Sequence, residues 1–202
     1  MNATAAHWDD VYGRTGERSV SWFQEVPGYS LAILDELGVD ASRSIVDVGA
    51  GASRLVDELV ARGFGDITVL DISTVGLDQA RARLGDRASA VSWTVHDILT
   101  WRPGRTFDIW HDRAVFHFLT TTEDIQRYLD VLARATAPGS LILMGTFADD
   151  GPTHCSGLPV SRYSPAGLAT ALEGYELIRS WREEHRTPTG ALQPFTWAAL
   201  RA

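Results

Sequence analysis

The 202-residue chain is 45% hydrophobic and 22% charged, values that suit one soluble globular domain with a full core. Its net charge of −8 leaves no basic footprint for gripping a nucleic-acid backbone, and no nucleic-acid partner is expected. All 18 basic residues are arginine, and the single cysteine, Cys155, excludes an internal disulfide and a cysteine metal cluster. No apolar run approaches the ~20 residues of a membrane span, and MNATAAHWDDVYG does not read as a signal peptide. A cytoplasmic location is the resulting expectation, with oligomeric state left open.

Residues 1–26 read as irregular and rich in aromatics, among them Trp8, Tyr12, Trp22 and Phe23. Pro27 stands where a helix begins, and Tyr29–Leu37 forms that helix, stopped at Gly38. Strand and helix patterns then alternate. Ser44–Val48 is a short apolar strand ending in glycines. Ala52–Arg62 is a helix with Leu55, Leu59 and Val60 on one face. Strand Ile67–Leu70 leads to Asp71, helix Ser73–Leu84 follows with Ser73 as its cap, and strand Val91–Val95 leads to His96 and Asp97. Phe107–Trp110 is a fourth strand, leading to His111 and Asp112. Glu123–Ala135 is a helix closed by Pro138-Gly139, and Ser140–Phe147 is the fifth strand. Ser164–Leu172 is a helix with Pro165 at its first position. Tyr175–Trp181 and Phe195–Leu200 are two strands joined by the turn-like EEHRTPTGALQ. The order predicts one α/β domain over 1–202. Its Rossmann-like, doubly wound, seven-stranded and mostly parallel sheet carries a C-terminal antiparallel hairpin at one edge.

In such a sheet ligands bind beyond the carboxyl ends of the strands. Asp47, Asp71, Asp97 and Asp112 stand at or beside four of those ends, an arrangement suited to a cationic or hydroxyl-bearing ligand and hostile to a pyrophosphate. The first turn, IVDVGAGASRLVD, has Gly49 and Gly51 for a tight turn and close backbone approach, with following amides free to receive a carboxylate or phosphate. A dinucleotide fingerprint places a third glycine where this chain has Arg54, which argues against an NAD-dependent oxidoreductase. Asp71, 20 residues after Gly51, is placed to accept both hydroxyls of a ribose, or to cap the helix beginning at Ser73. Asp97-Ile98 can frame an adenine, or serve as turn residue and core neighbour. FDIWHDRAVFHFL brings Trp110, His111, Asp112, Arg113 and His117 together. His111 or His117 is a candidate general base; equally, His111 and Arg113 can make structural hydrogen bonds. Cys155, beside His154 in DGPTHCSGLP, reads better as a buried thiol than as a nucleophile. The six histidines show no metal-ligand spacing, so no metal is expected.

With these motifs in order, the chain resembles the class I S-adenosylmethionine-dependent methyltransferases over roughly residues 7–200. The match is VDVGAGAS, with Ser53 in place of a further glycine. The resemblance implies S-adenosylmethionine as cofactor. It implies that Asp47, Gly49, Ala50 and Gly51 line its methionine part, that Asp71 holds the ribose, and that Ile72, Asp97 and Ile98 hold the adenine. Trp110 and His111 stand where the fourth-strand motif borders the methyl group. His111, Asp112 and His117 are the implied catalytic candidates. HWDDVYG, SWFQE and WHDRAVFHFL look like a group of small bacterial methyltransferases. SWFQE and Asp112-Arg113-Ala114-Val115-Phe116 are also similar to lysine methyltransferases acting on a translation elongation factor, which usually carry Asp-Lys-Gly there. Trp8, Tyr12 and Trp22 suggest a lid over the cofactor. The methyl acceptor reads as a small molecule, because no inserted segment offers a docking surface for a protein. A protein lysine acceptor and a non-catalytic cofactor-binding module are the alternatives.

Overall fold

The computed structural model describes residues 4–202. The elements run α1 (Ala5–Thr15), α2 (Gly28–Glu36), β1 (Ile45–Val48), α3 (Leu55–Ala61), β2 (Ile67–Asp71), α4 (Thr74–Leu84), β3 (Val91–Val95) and β4 (Ile109–Arg113). They continue with α5 (Thr122–Ala135), β5 (Leu141–Phe147), β6 (His154–Cys155), β7 (Leu158–Pro159), α6 (Pro165–Ala171), β8 (Glu176–Arg186) and β9 (Leu192–Arg201). Seven strands form one sheet in the order β3-β2-β1-β4-β5-β9-β8, parallel from β3 to β5 and antiparallel at β9 and β8. The seven-stranded, mostly parallel sheet with an antiparallel edge hairpin is as expected. Among the described residues no helix is long and apolar enough to cross a membrane.

Strand alternation divides the core into two layers. Ile45, Ile109, Leu143, Phe195 and Trp197 face one side, against α2 and α3. Val46, Trp110, Ile142, Met144 and Leu200 face the other, against α5 and α6. β1 pairs with β4 so that Asp47 lies beside His111. By the same period of two, Asp47, His111 and Arg113 share the first face, and Trp110 and Asp112 the second.

Four boundaries differ from the sequence reading. Ala5–Thr15 is a helix, not irregular chain, capped by the Thr4 hydroxyl that accepts the His7 amide. Docking stabilises it: Asp9 Oδ1 accepts the Ser73 hydroxyl at 2.7 Å and the Val75 amide at 3.1 Å. The fourth strand begins two residues later than Phe107 and runs through His111 and Asp112 to Arg113, because its register is set by β1 and β5. α3 starts at Leu55 instead of Ala52. Residues 50–53 are spent in a turn, with the Ser53 amide donating to Ala50 O at 2.7 Å. Finally, most of EEHRTPTGALQ is strand. β8 and β9 pair residue by residue out to Arg186↔Leu192, a long-range match that local turn residues conceal.

Candidate functional site

Beyond the carboxyl ends of β1–β4 lies a cavity of about 190 Å³. Val48 and Gly49 at the start of the glycine turn border it. Gly49 and Gly51 have φ of 64° and 49°, the left-handed region that favours glycine. A Cβ on Gly49 would stand 1.8 Å from Val115 Cγ2, and one on Gly51 would stand 1.9 Å from the Tyr12 hydroxyl oxygen. The Gly49 and Ala50 amides both donate to Leu70 O, at 2.7 and 3.2 Å, so they are held by β2 instead of facing a ligand. The walls are Asp71 and Ile72 at the end of β2, His96 to Leu99 after β3, and Arg113 to Val115 at the end of β4. Trp8, Tyr12 and Trp22 close one side, and Cys155, Leu158 and Pro159 of the β6–β7 hairpin another. Trp8 meets Trp22 and Phe118 edge-on at 5.8 and 5.1 Å between ring centres. A smaller cavity of about 50 Å³ adjoins it, bordered by Asp47, Gly49, Ala50, Ser30, His111, Trp22 and Arg113.

Asp71 is buried, and its Oδ1 accepts the Ser73 amide at 2.7 Å. Burial pushes its carboxyl up to about 7, helped by the nearby Asp47 and Asp9 charges and opposed by backbone hydrogen bonds. Asp97 Oδ1 accepts the Leu99 amide at 2.9 Å, which turns the chain so that Ile98 faces the cavity. Asp47 and His111 are both buried. His111 Nδ1 donates to Asp47 Oδ1 at 2.7 Å, and its Nε2 lies 2.9 Å from Ser30 Oγ on α2. Asp47 Oδ2 is left without a partner, a buried oxygen of a residue that borders the smaller cavity. His111 thus orients Asp47 and has both ring nitrogens engaged.

Three residues expected near the reacting centre lie elsewhere. Asp112 points to the opposite face of the sheet. Its Oδ2 accepts the Tyr128 hydroxyl at 2.6 Å, and its Oδ1 accepts the Val115 amide at 2.9 Å. Burial raises its carboxyl to about 6, and it anchors the turn after β4 without bordering the cavity. Trp110 shares that face, fully buried, with its indole donating to Tyr128 at 2.9 Å. His117 is also fully buried. Its Nδ1 accepts the Phe147 amide at 3.2 Å, and burial beside Arg113 lowers it to about 3, so it stays neutral. The four-carboxylate edge therefore reduces to Asp47, Asp71 and Asp97.

Cys155 borders the cavity as a free thiol pushed up to about 11 by burial, which keeps it protonated at neutral pH. Among the described residues no group of three or more His, Cys, Asp or Glu is placed to hold a metal. Sequence reasoning assigned no site role to Ser30 or Glu183, whose site contacts, with His111 and Arg113, lie 81 and 70 positions away. Arg113 was visible, but its burial was not.

Comparisons with known proteins agree with this geometry. Residues 45–139 match the model of a methyltransferase domain family. The eEF1A lysine and N-terminal methyltransferase of Mus musculus is 25% identical over 60% of this chain and 17% of its own length. The trans-aconitate 2-methyltransferase of Mycobacterium tuberculosis is 28% identical over 78% of this chain and 56% of its own. The chain thus spans less than two thirds of either relative. Solved folds resemble it as well, two methyltransferases among them. The N-methyltransferase NodS from Bradyrhizobium japonicum with S-adenosyl-L-homocysteine has a TM-score of 0.73 at 17% identity, covering 96% of this chain and 98% of that one. A methyltransferase from Anabaena variabilis has a TM-score of 0.77 at 14% identity, covering 98% and 94%. Sheet order, glycine turn, domain match and relatives together make the chain similar to the class I S-adenosylmethionine-dependent methyltransferases, at a distance from the characterised relatives.

Proposed function

We propose that the two adjoining cavities together hold S-adenosylmethionine and that the chain, as one domain, transfers its methyl group to a small molecule. The unpartnered Asp47 Oδ2 carries this reading, because a buried carboxylate oxygen needs a donor and the cofactor's ammonium is one. The other residues fit as well. Gly49 and Ala50 border the cavities, and Gly51 completes the turn against which Tyr12 packs. Asp71 would accept the ribose hydroxyls. Ile72, Asp97 and Ile98 would frame the adenine, and Trp22 would cover the methionine end. Bound there, the sulfonium supplies an electrophilic methyl group. Cavity residues then position the acceptor and exclude water, which can account for much of the acceleration of a displacement. His111 acts as a positioning residue through Asp47, and Asp112 through the turn that carries Arg113 to Val115.

A small acceptor is favoured by the roof of Trp8, Trp22 and the β6–β7 hairpin, which leaves a bounded space. It is also favoured by the trans-aconitate relative, which aligns over more of this chain than the elongation-factor relative does. The test is incubation with methyl-labelled cofactor and a cell extract split by size. Label in the low-molecular-weight fraction is expected. Label confined to protein would favour the lysine-methylating alternative, and cofactor binding with no transfer at all would favour a non-catalytic module. His111→Asn is expected to weaken cofactor binding more than it slows the bound complex.

A further inference from the structure

We propose that the methyl acceptor is a carboxylic acid, held as its carboxylate by Arg113; this rests on the reading that the cavity takes S-adenosylmethionine and a small acceptor. Arg113 ends β4, borders both cavities and has a side chain only 10% exposed. Its Nη1 donates to Trp22 O at 3.2 Å, while Nε and Nη2 have no hydrogen-bond partner. Glu183 Oε1 stands 3.6 Å from Nη2 and supplies a counter-charge, but its oxygens accept Gln24 Nε2 at 2.8 Å and Trp197 Nε1 at 2.7 Å. Nε and Nη2 form one edge of the guanidinium, the spacing that a carboxylate meets with two oxygens. The Phe195 ring, 4.5 Å from the guanidinium carbon, fixes its plane.

A second observation points the same way. An alcohol or an ammonium acceptor must lose a proton, and with Asp71 and Asp97 taken up by the ribose and adenine the cavity offers little else to take it. His111 has both nitrogens engaged, and His117 lies outside the lining. The Cys155 thiol stays protonated, and an arginine does not act as a base at neutral pH. His96 is exposed and turned toward Asp97 O, and Asp124 Oδ2 accepts the Thr121 hydroxyl. A carboxylic acid is already ionised at neutral pH. Its oxygen supplies the electron pair of the new O–CH₃ bond, and the pair of the broken S–CH₃ bond stays on sulfur. A methyl ester forms and no proton moves.

The first measurement is calorimetry on protein saturated with S-adenosylhomocysteine, titrated with benzoate, cinnamate, fumarate and citrate beside their amides. At least one acid is expected to bind at least tenfold tighter than its amide, with Arg113→Gln removing that preference and Arg113→Lys restoring part of it. Homocysteine-cofactor affinity in the Arg113 variants is expected to stay within about threefold. A tenfold loss there instead would move Arg113 to the cofactor and overturn the proposal. The second measurement needs no variant and no chosen acid: small-molecule products labelled from methyl-tritiated cofactor are treated with dilute alkali. Release of the label as methanol is expected, whereas alkali-stable methyl groups, or no product, overturn the proposal. Absence of homocysteine-cofactor binding to the wild-type protein would instead sink the cofactor reading beneath it.

Discussion

Burial holds the Asp71 carboxyl at about 7, so the folded chain keeps a proton there that the unfolded chain loses near 4. For this group, stability is therefore greatest below about pH 4 and declines as pH rises toward 7. Asp71→Asn keeps an oxygen for the Ser73 amide but removes the titration. Relative to that variant, the wild type is expected to lose on the order of 4 kcal/mol between pH 4 and pH 8, read from urea midpoints. The ligand works in the opposite direction. Ribose hydroxyls donate to the ionised form, so cofactor affinity should rise with pH, level off above about 7, and release a proton below it. Calorimetry in buffers of different ionisation heat measures this release. Asp71→Ala should weaken binding about a hundredfold, or about 2.7 kcal/mol, the loss of two hydrogen bonds to a charged group.

At the scale of elements, the glycine turn and the N-terminal helix form one unit. Tyr12 occupies the space that a side chain at position 51 would need, and Gly76 on α4 also lies against it, its added Cβ 2.9 Å from Tyr12. Gly51→Ala would have to strain a left-handed backbone and displace Tyr12 together, so a loss of about 2–4 kcal/mol in thermal or chemical unfolding is expected. The chain between α1 and α2 is tied down differently. Arg54 pairs with Glu17 at 2.9 Å and Glu25 at 2.6 Å, and His185 Nε2 lies 2.8 Å from Ser21 O. Arg54→Ala should leave the core intact but speed proteolysis within residues 16–26 and weaken cofactor binding. An unchanged cleavage rate would show that the arginine is not the tie. The cap of α5 offers a simpler control. Thr121→Ala removes the hydroxyl that accepts the Asp124 amide at 3.1 Å and should cost about 1 kcal/mol.

For the whole molecule, cofactor and stability are linked by mass action. S-adenosylhomocysteine at about 100 times its Kd should stabilise the fold by about 2.7 kcal/mol, visible as a raised Tm, while NAD should give no shift. The glycine spacing, the alternation of apolar runs with helical patterns, and Asp71 and Asp97 after their strands were legible in the sequence, since each is a local consequence of backbone geometry. So was the edge hairpin, though not its length. What the sequence could not state was direction. His111, Asp112 and Arg113 are neighbours in the chain, yet the two-residue period of β4 sends Asp112 to Tyr128 and its two neighbours toward the cofactor face. His117 looks reactive in a string of letters and is neutral under Phe147. Local spacing by itself determined the sheet and the turn, and the family resemblance those motifs carry implied the cofactor class. Tertiary packing alone decided which of the clustered polar groups meet the cavity, because burial and pairing across the sheet fix both a side chain's face and its charge.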